Sequence, residues 1–158
     1  MNIPSIKKGL GFGITSAIIT TLGIIVGMHG GTNLREVVIG AVLIIAFSDS
    51  LADSLGIYFS EKAAGKNPNQ AITAMISAFL GKILFALTFL IPILLFNLHL
   101  AIIIDIIYGM ILLGVYSYYT AKDKNESTIK TIIFHIVLAI FVISAAHLLG
   151  LWINSRFK

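Results

Sequence analysis

The sequence predicts an all-α membrane protein with five transmembrane helices, its amino terminus cytoplasmic and its carboxyl terminus outside or luminal. Three observations carry that expectation. Of the 158 residues 58% are hydrophobic, against about 45 to 50% in soluble domains. Five apolar runs reach the length of about 20 residues that a helix needs to cross a bilayer. By loop order, Lys7, Lys8, Lys62, Lys66, Lys122, Lys124 and Lys130 fall on one side, and Arg35, Arg156 and Lys158 on the other. The richer side is assigned to the cytoplasm by the positive-inside rule.

The first span covers residues 10–28. It is too long for a signal-peptide core, lacks a small-residue cleavage site and is followed by four more spans, so it reads as a retained helix. His29-Gly30-Gly31-Thr32-Asn33 supplies turn residues before the second span, 36–60. A polar loop, Glu61 to Asn69, leads to the third span, 70–96, whose extra length tilting and Pro92 can absorb. Asn97-Leu98-His99 turns the chain into the fourth span, 100–119; the charged loop Ala121 to Ser127 precedes the fifth, 129–153. There is no internal repeat or linker, and residues 1–158 form one domain.

Composition excludes several functions. With no cysteine there is no disulfide framework or thiolate metal site, so a metal would need oxygen, imidazole or thioether ligands. The net charge of +4 sits on loops and ends rather than on a basic stripe between aromatics, which argues against nucleic acid as a partner. No activated nucleophile stands out, and an enzyme is not expected. A permanently bound cofactor is not expected either. The bilayer is the expected environment, a plasma membrane in a prokaryote or an internal membrane in a eukaryote.

The second span carries Asp49 and Asp53 four residues apart, on one helix face. A carboxylate at mid-bilayer costs roughly 2.5 to 3.5 kcal/mol even on lenient insertion scales, so such residues are functional candidates by default. Counted at 1.5 Å per residue, Asp53 lies about 10 Å from the cytoplasmic end and Asp49 about 16 Å. Two polar layers follow: Ser16, Asp53 and His135 nearer the cytoplasm, and Thr20, Asp49 and Lys82 at the centre. Lys82 is too deep to reach an interface easily, which favours an ion pair with Asp49 and leaves Asp53 as the freer carboxylate. His135 is either a packing residue or a ligand or proton relay. Asp105 and His147 share a depth in the outer third, as a structural pair or an outer proton relay. His29 and His99 sit at turns and are expected to be solvated. The hydroxyls of Thr15, Ser16, Thr20 and Thr21 either line a pathway or bond back to their own helix. Gly23-x-x-x-Gly27 fits close helix packing.

The first two spans, GITSAIITTLGIIVG and GAVLIIAFSDSLADSLGIYFSEK, resemble those of the vacuolar iron transporter family, with its D-G-x-x-T-T-x-(A/G) and S-M-A-x-G-E-Y-x-S stretches. Thr20-Thr21-Leu22-Gly23 and Gly56-x-Tyr58-x-Ser60 keep the frame. The resemblance extends more loosely through ALTFLIPILLF, LLGVYSYY and HLLGLWI. It implies a dimeric, five-helix antiporter that moves ferrous iron or manganese out of the cytoplasm in exchange for protons. In this frame the family aspartate falls on Ser16 and its glycine on Ala17; the methionine falls on Asp53 and the glutamate on Ile57. The acidic metal-collecting segment between the second and third spans is replaced by EKAAGKNPNQ. A carboxylate in place of methionine suits oxygen-preferring cations, and two copies of Asp53 with Asp49 and hydroxyls could share an interfacial site. A different expectation is a non-transporting structural or assembly subunit whose buried charges pair with a partner's helices.

Overall fold

Helices account for nearly all of the computed structural model, which describes residues 3–123 and 126–157. Lys124 and Lys158, which enter the charge count, lie outside the described residues. The helix α1 (Ile3–Thr32) begins before the apolar run, so Lys7 and Lys8 ride on its first turns. It ends where Asn33 takes a left-handed backbone, φ 53°, and returns its N–H to the His29 carbonyl at 2.9 Å. The helix α2 (Arg35–Ala63) outlasts the expected span and draws Glu61 into its last turn. Pro68 opens α3 (Pro68–Thr88), and the Asn67 side chain caps it by accepting from the Gln70 N–H at 2.9 Å.

The third span is not continuous. It breaks at Phe89 and resumes as α4 (Leu90–Leu95). Pro92 has no N–H to give the ladder, and its ring crowds the carbonyl four residues earlier, that of Thr88. The chain therefore turns three residues before the proline. Arg35 donates from its guanidinium to the Ile93 carbonyl, satisfying an acceptor at the short helix's end. The last two helices are α5 (Leu98–Asp123) and α6 (Thr128–Phe157). With α3 and α4 taken together, five helical segments are long and apolar enough to cross a membrane, and no strand occurs among the described residues. This is a multi-pass helical membrane protein.

The centre of the bundle is α1, which packs against α2, α3, α5 and α6. Of its apolar stretch 56% is buried, against 6% for α6, so α1 is the axis and α6 the lipid-facing wall. Close approach on two sides of α1 requires glycine. A Cβ at Gly13 would overlap the Ala78 carbonyl of α3, and one at Gly150 of α6 would overlap the Gly27 carbonyl. Main chains meet in both places, and backbone cannot yield as a side chain can. Gly40 on α2, by contrast, has nothing within 4 Å of its would-be Cβ.

Gly13→Ala should therefore destabilise the detergent-solubilised protein by about 1 to 3 kcal/mol, the usual cost of overpacking. Gly40→Ala should be neutral or raise stability by about 0.5 to 1 kcal/mol through helix propensity. Thermal unfolding of the two variants side by side checks both.

Candidate functional site

The third helix sets the site's position. Gly13 lets α1 lie against α3 beside the main chain of Lys82, and Lys82 buries its whole side chain, 1% exposed, between α1 and α2. A buried ammonium needs acceptors for three protons, since its desolvation costs several kcal/mol even after relaxation. Three are present. Lys82 Nζ donates to Asp49 Oδ2, to Asp53 Oδ2 and, at 2.9 Å, to Ser16 Oγ. Ser16 in turn donates to Asp53 Oδ2 at 2.6 Å. Four residues from three helices close into one network.

This arrangement merges the two expected layers. The expected Lys82–Asp49 contact is present, but Asp53 is not the freer carboxylate, because Lys82 reaches it as well. The depth count at 1.5 Å per residue put the acids about 6 Å apart, and a flexible lysine stem spans that interval. Two carboxylates and one ammonium leave the cluster with a residual negative charge. Asp49 and Asp53 are 28% and 25% exposed. Their Oδ1 atoms accept no hydrogen bond among the described residues. Acceptor capacity thus remains on the outward side of the cluster.

Thr20 does not join it. Its hydroxyl donates to the Ser16 carbonyl at 2.8 Å, and Thr15 does the same to the Gly11 carbonyl at 2.8 Å, so both bond back to their own helix. His135 is also elsewhere. It pairs with Ser117 at 2.8 Å, across the α5–α6 contact and on the far side of α1 from the acids. A cavity of about 1440 Å³ lies there, between the amino-terminal parts of α1 and α6 and the end of α5, with Thr15, Tyr116 and His135 in its wall. This cavity is therefore separated from the charged cluster by the thickness of α1.

At the opposite end, Asp105 and His147 are not a hydrogen-bonded pair. Both Asp105 oxygens and His147 Nδ1 are buried without a partner. His99 is exposed in the first turn of α5, as expected, but His29 is not a solvated turn residue. Helix α1 extends through His29, whose ring packs edge-on against His99 at 4.8 Å and whose Nε2 is buried without a partner. A further pair, Lys8 with the buried Glu61, ties α1 to α2 on the amino-terminal side. Its sequence signal was the matching placement of the two residues at span ends on one side. Among the described residues no group of three or more acidic or histidine side chains converges as a ready metal site.

Comparison with known protein families, with curated proteins and with solved structures finds no match. The resemblance to vacuolar iron transporters rests on the sequence frame alone.

Removing the ammonium leaves two carboxylates facing each other in a low-dielectric setting. Lys82→Met should cost about 3 kcal/mol or more, the scale on which a broken buried ion pair destabilises a protein. The triple change Lys82→Met, Asp49→Asn, Asp53→Asn should recover much of that loss. Equal melting of the single and triple variants would show that charge balance is not what the cluster supplies.

Proposed function

We propose that the chain is a membrane carrier that exchanges a divalent cation of the ferrous iron or manganese class for protons, at the Asp49, Asp53, Ser16 and Lys82 cluster. The observation that carries this reading is the second acid. A structural lysine in a membrane needs one carboxylate to balance it, and this one has two, each with an unused, partly exposed oxygen. The ammonium occupies the position that an incoming cation would take. A divalent ion seated on the two carboxylates needs Lys82 to swing away or to give up its proton. With the ion seated, the two carboxylates, the dication and the ammonium would sum to one positive charge, and loss of the lysine proton would leave the cluster neutral, so metal entry and proton release are coupled by charge balance. On the positive-inside assignment the ion enters from the cytoplasm and leaves on the other side, and no step calls for enzyme chemistry.

A homodimer would complete the ligand set. Ser48, Ala52, Gly56 and Ser60 recur every four residues along α2, all exposed, beside the two acids. Such a ridge of small residues lets a second α2 approach closely. Two pairs of carboxylate oxygens with serine hydroxyls would then approach the oxygen-rich coordination that hard divalent cations take. Thr20 and His135, expected near the path, bond elsewhere, so the ligands proposed are the carboxylates and Ser16.

A second reading is favoured by one specific observation. Lys82 already gives each carboxylate an ionic partner, and a self-contained cluster of this kind suits an assembly subunit that presents α2 to a partner's helix. The two readings separate in a flux assay. Full-length protein in liposomes holding a manganese-sensitive dye should admit Mn²⁺ and move protons the other way. Asp53→Asn and Asp49→Asn should each slow uptake by about tenfold or more, the scale on which losing a group at a metal site weakens it. Flux no greater than in empty liposomes, with the folded wild-type protein present, would remove the carrier reading and leave the assembly subunit.

A further inference from the structure

The opposite side of α1 carries a second set of polar groups that the cluster does not use. On the amino-terminal side they begin at the cavity between α1, α5 and α6, whose wall holds Thr15, Tyr116 and His135, with Ser117 bonded to His135 behind it. At the other end three of the chain's four histidines meet on the same three helices: His29 of α1 against His99 of α5, and His147 of α6 with its Nδ1 3.2 Å from the would-be Cβ of Gly30. Between the two ends stands an apolar plug that includes Ile18, Leu22, Leu113 and Ala139, each 0% exposed.

Asp105 lies just beyond that plug. Gly109 faces Leu22 and His99 faces His29, so Asp105, between them on α5, sits about 9 Å inward of His99 at 1.5 Å per residue. It is 0% exposed, and neither oxygen has a partner. An ionised carboxylate there would pay its desolvation with nothing to offset it. Buried polar atoms without partners are rare and call for an explanation, commonly a water or ion that reaches them in another state. Among the described residues they are Asp105 Oδ1 and Oδ2, His29 Nε2 and His147 Nδ1, which cluster on α1, α5 and α6, and Thr21 Oγ1 on α1. The same helices are open at the amino-terminal end and sealed at the other, where the Gly27 and Gly150 main chains meet.

We infer a second pathway along α1, α5 and α6, separate from the metal cluster, that carries protons, with Asp105 as its buried proton-binding group and the three histidines at its outer mouth. When the glycine seam between α1 and α6 parts, water enters between His29, His99 and His147. The Asp105 carboxyl then passes its proton to that water, which hands it to a histidine nitrogen and so to bulk. Closing the seam requires the carboxylate to take a proton back. The charged groups flanking the track are Arg35 and Glu36 at the outer hairpin, and Lys7, Lys8, Asp123, Glu126 and Lys130 around the inner cavity. As the proton half of an exchange, this role rests on the carrier reading; the water access does not.

The absence of cysteine allows a direct test in the full-length protein. Asp105→Cys and Ala101→Cys lie one turn apart on the buried face of α5, and Ile103→Cys lies between them on its exposed apolar face. Each variant is reconstituted and treated with a charged, membrane-impermeant methanethiosulfonate from the histidine side. Labelling at position 101 or 105, with position 103 unlabelled, is the expected result; Ala101→Cys decides the matter if Asp105→Cys does not fold. Folded protein in which 101 and 105 are as inert as 103 overturns the pathway. Metal-driven proton movement, read by an internal pH dye, should be lost in Asp105→Asn while Mn²⁺ still binds; proton movement at the wild-type rate overturns the role of Asp105. If wild-type protein shows no metal flux while position 101 or 105 labels, the carrier reading fails and the hydrated track stands.

Discussion

A single ammonium group constrains this bundle more than any other. Lys82 is fully buried in a segment built to sit among lipids, and its three protons must be met where water cannot meet them. Meeting them takes α2 for the carboxylates of Asp49 and Asp53, α1 for the hydroxyl of Ser16, and a backbone approach close enough to bring all three within reach. That approach is what Gly13 permits. The charged network and the small-residue contact are two halves of one requirement: larger residues on α1 would hold the helices apart, and the lysine would then be stranded among apolar neighbours.

The same demand explains why α1 lies at the axis. Its amino-terminal half serves Lys82 and the acids through Ser16; further along, Gly23 and Gly27 pack against α6, and Leu22, on another side, meets α5 at Gly109. On the proposed carrier reading, a helix with a charged network on one side and a cavity and histidines on the other would couple two ions without their meeting. Displacement of α1 by a cation on the α2 side would alter the seam on the α6 side, since a packed interface shifts between discrete arrangements rather than deforming smoothly.

Much of the architecture was legible in the sequence because span length and apolar composition act over some twenty residues and tolerate local error. Of the site, sequence depth placed Ser16 with Asp53 in one layer and Asp49 with Lys82 in the next, and favoured the Lys82–Asp49 contact. It could not show that one ammonium would serve both acids, since depth carries no information about side-chain reach or helix separation. Thr20 lies one turn from Ser16 on the same face of α1 but spends its hydroxyl on the Ser16 carbonyl, while His135 shows that equal depth does not mean the same neighbours, since it meets Ser117 of α5. The break at Phe89 had a readable cause in Pro92, displaced three residues upstream by the geometry of proline's clash. The histidine cluster was hidden because its members come from three distant segments, and only the crossing of α1, α5 and α6 brings them together.

The central claim is that Lys82 and a divalent cation compete for the same two carboxylates. Its most direct measure is the proton count of metal binding, obtained by titrating Mn²⁺ into the purified wild-type protein in buffers of different ionisation enthalpy. The account predicts that the apparent heat varies with the buffer in proportion to about one proton released per ion bound, as expected when a metal displaces a protonated group. Binding of Mn²⁺ with the same heat in every buffer would contradict it.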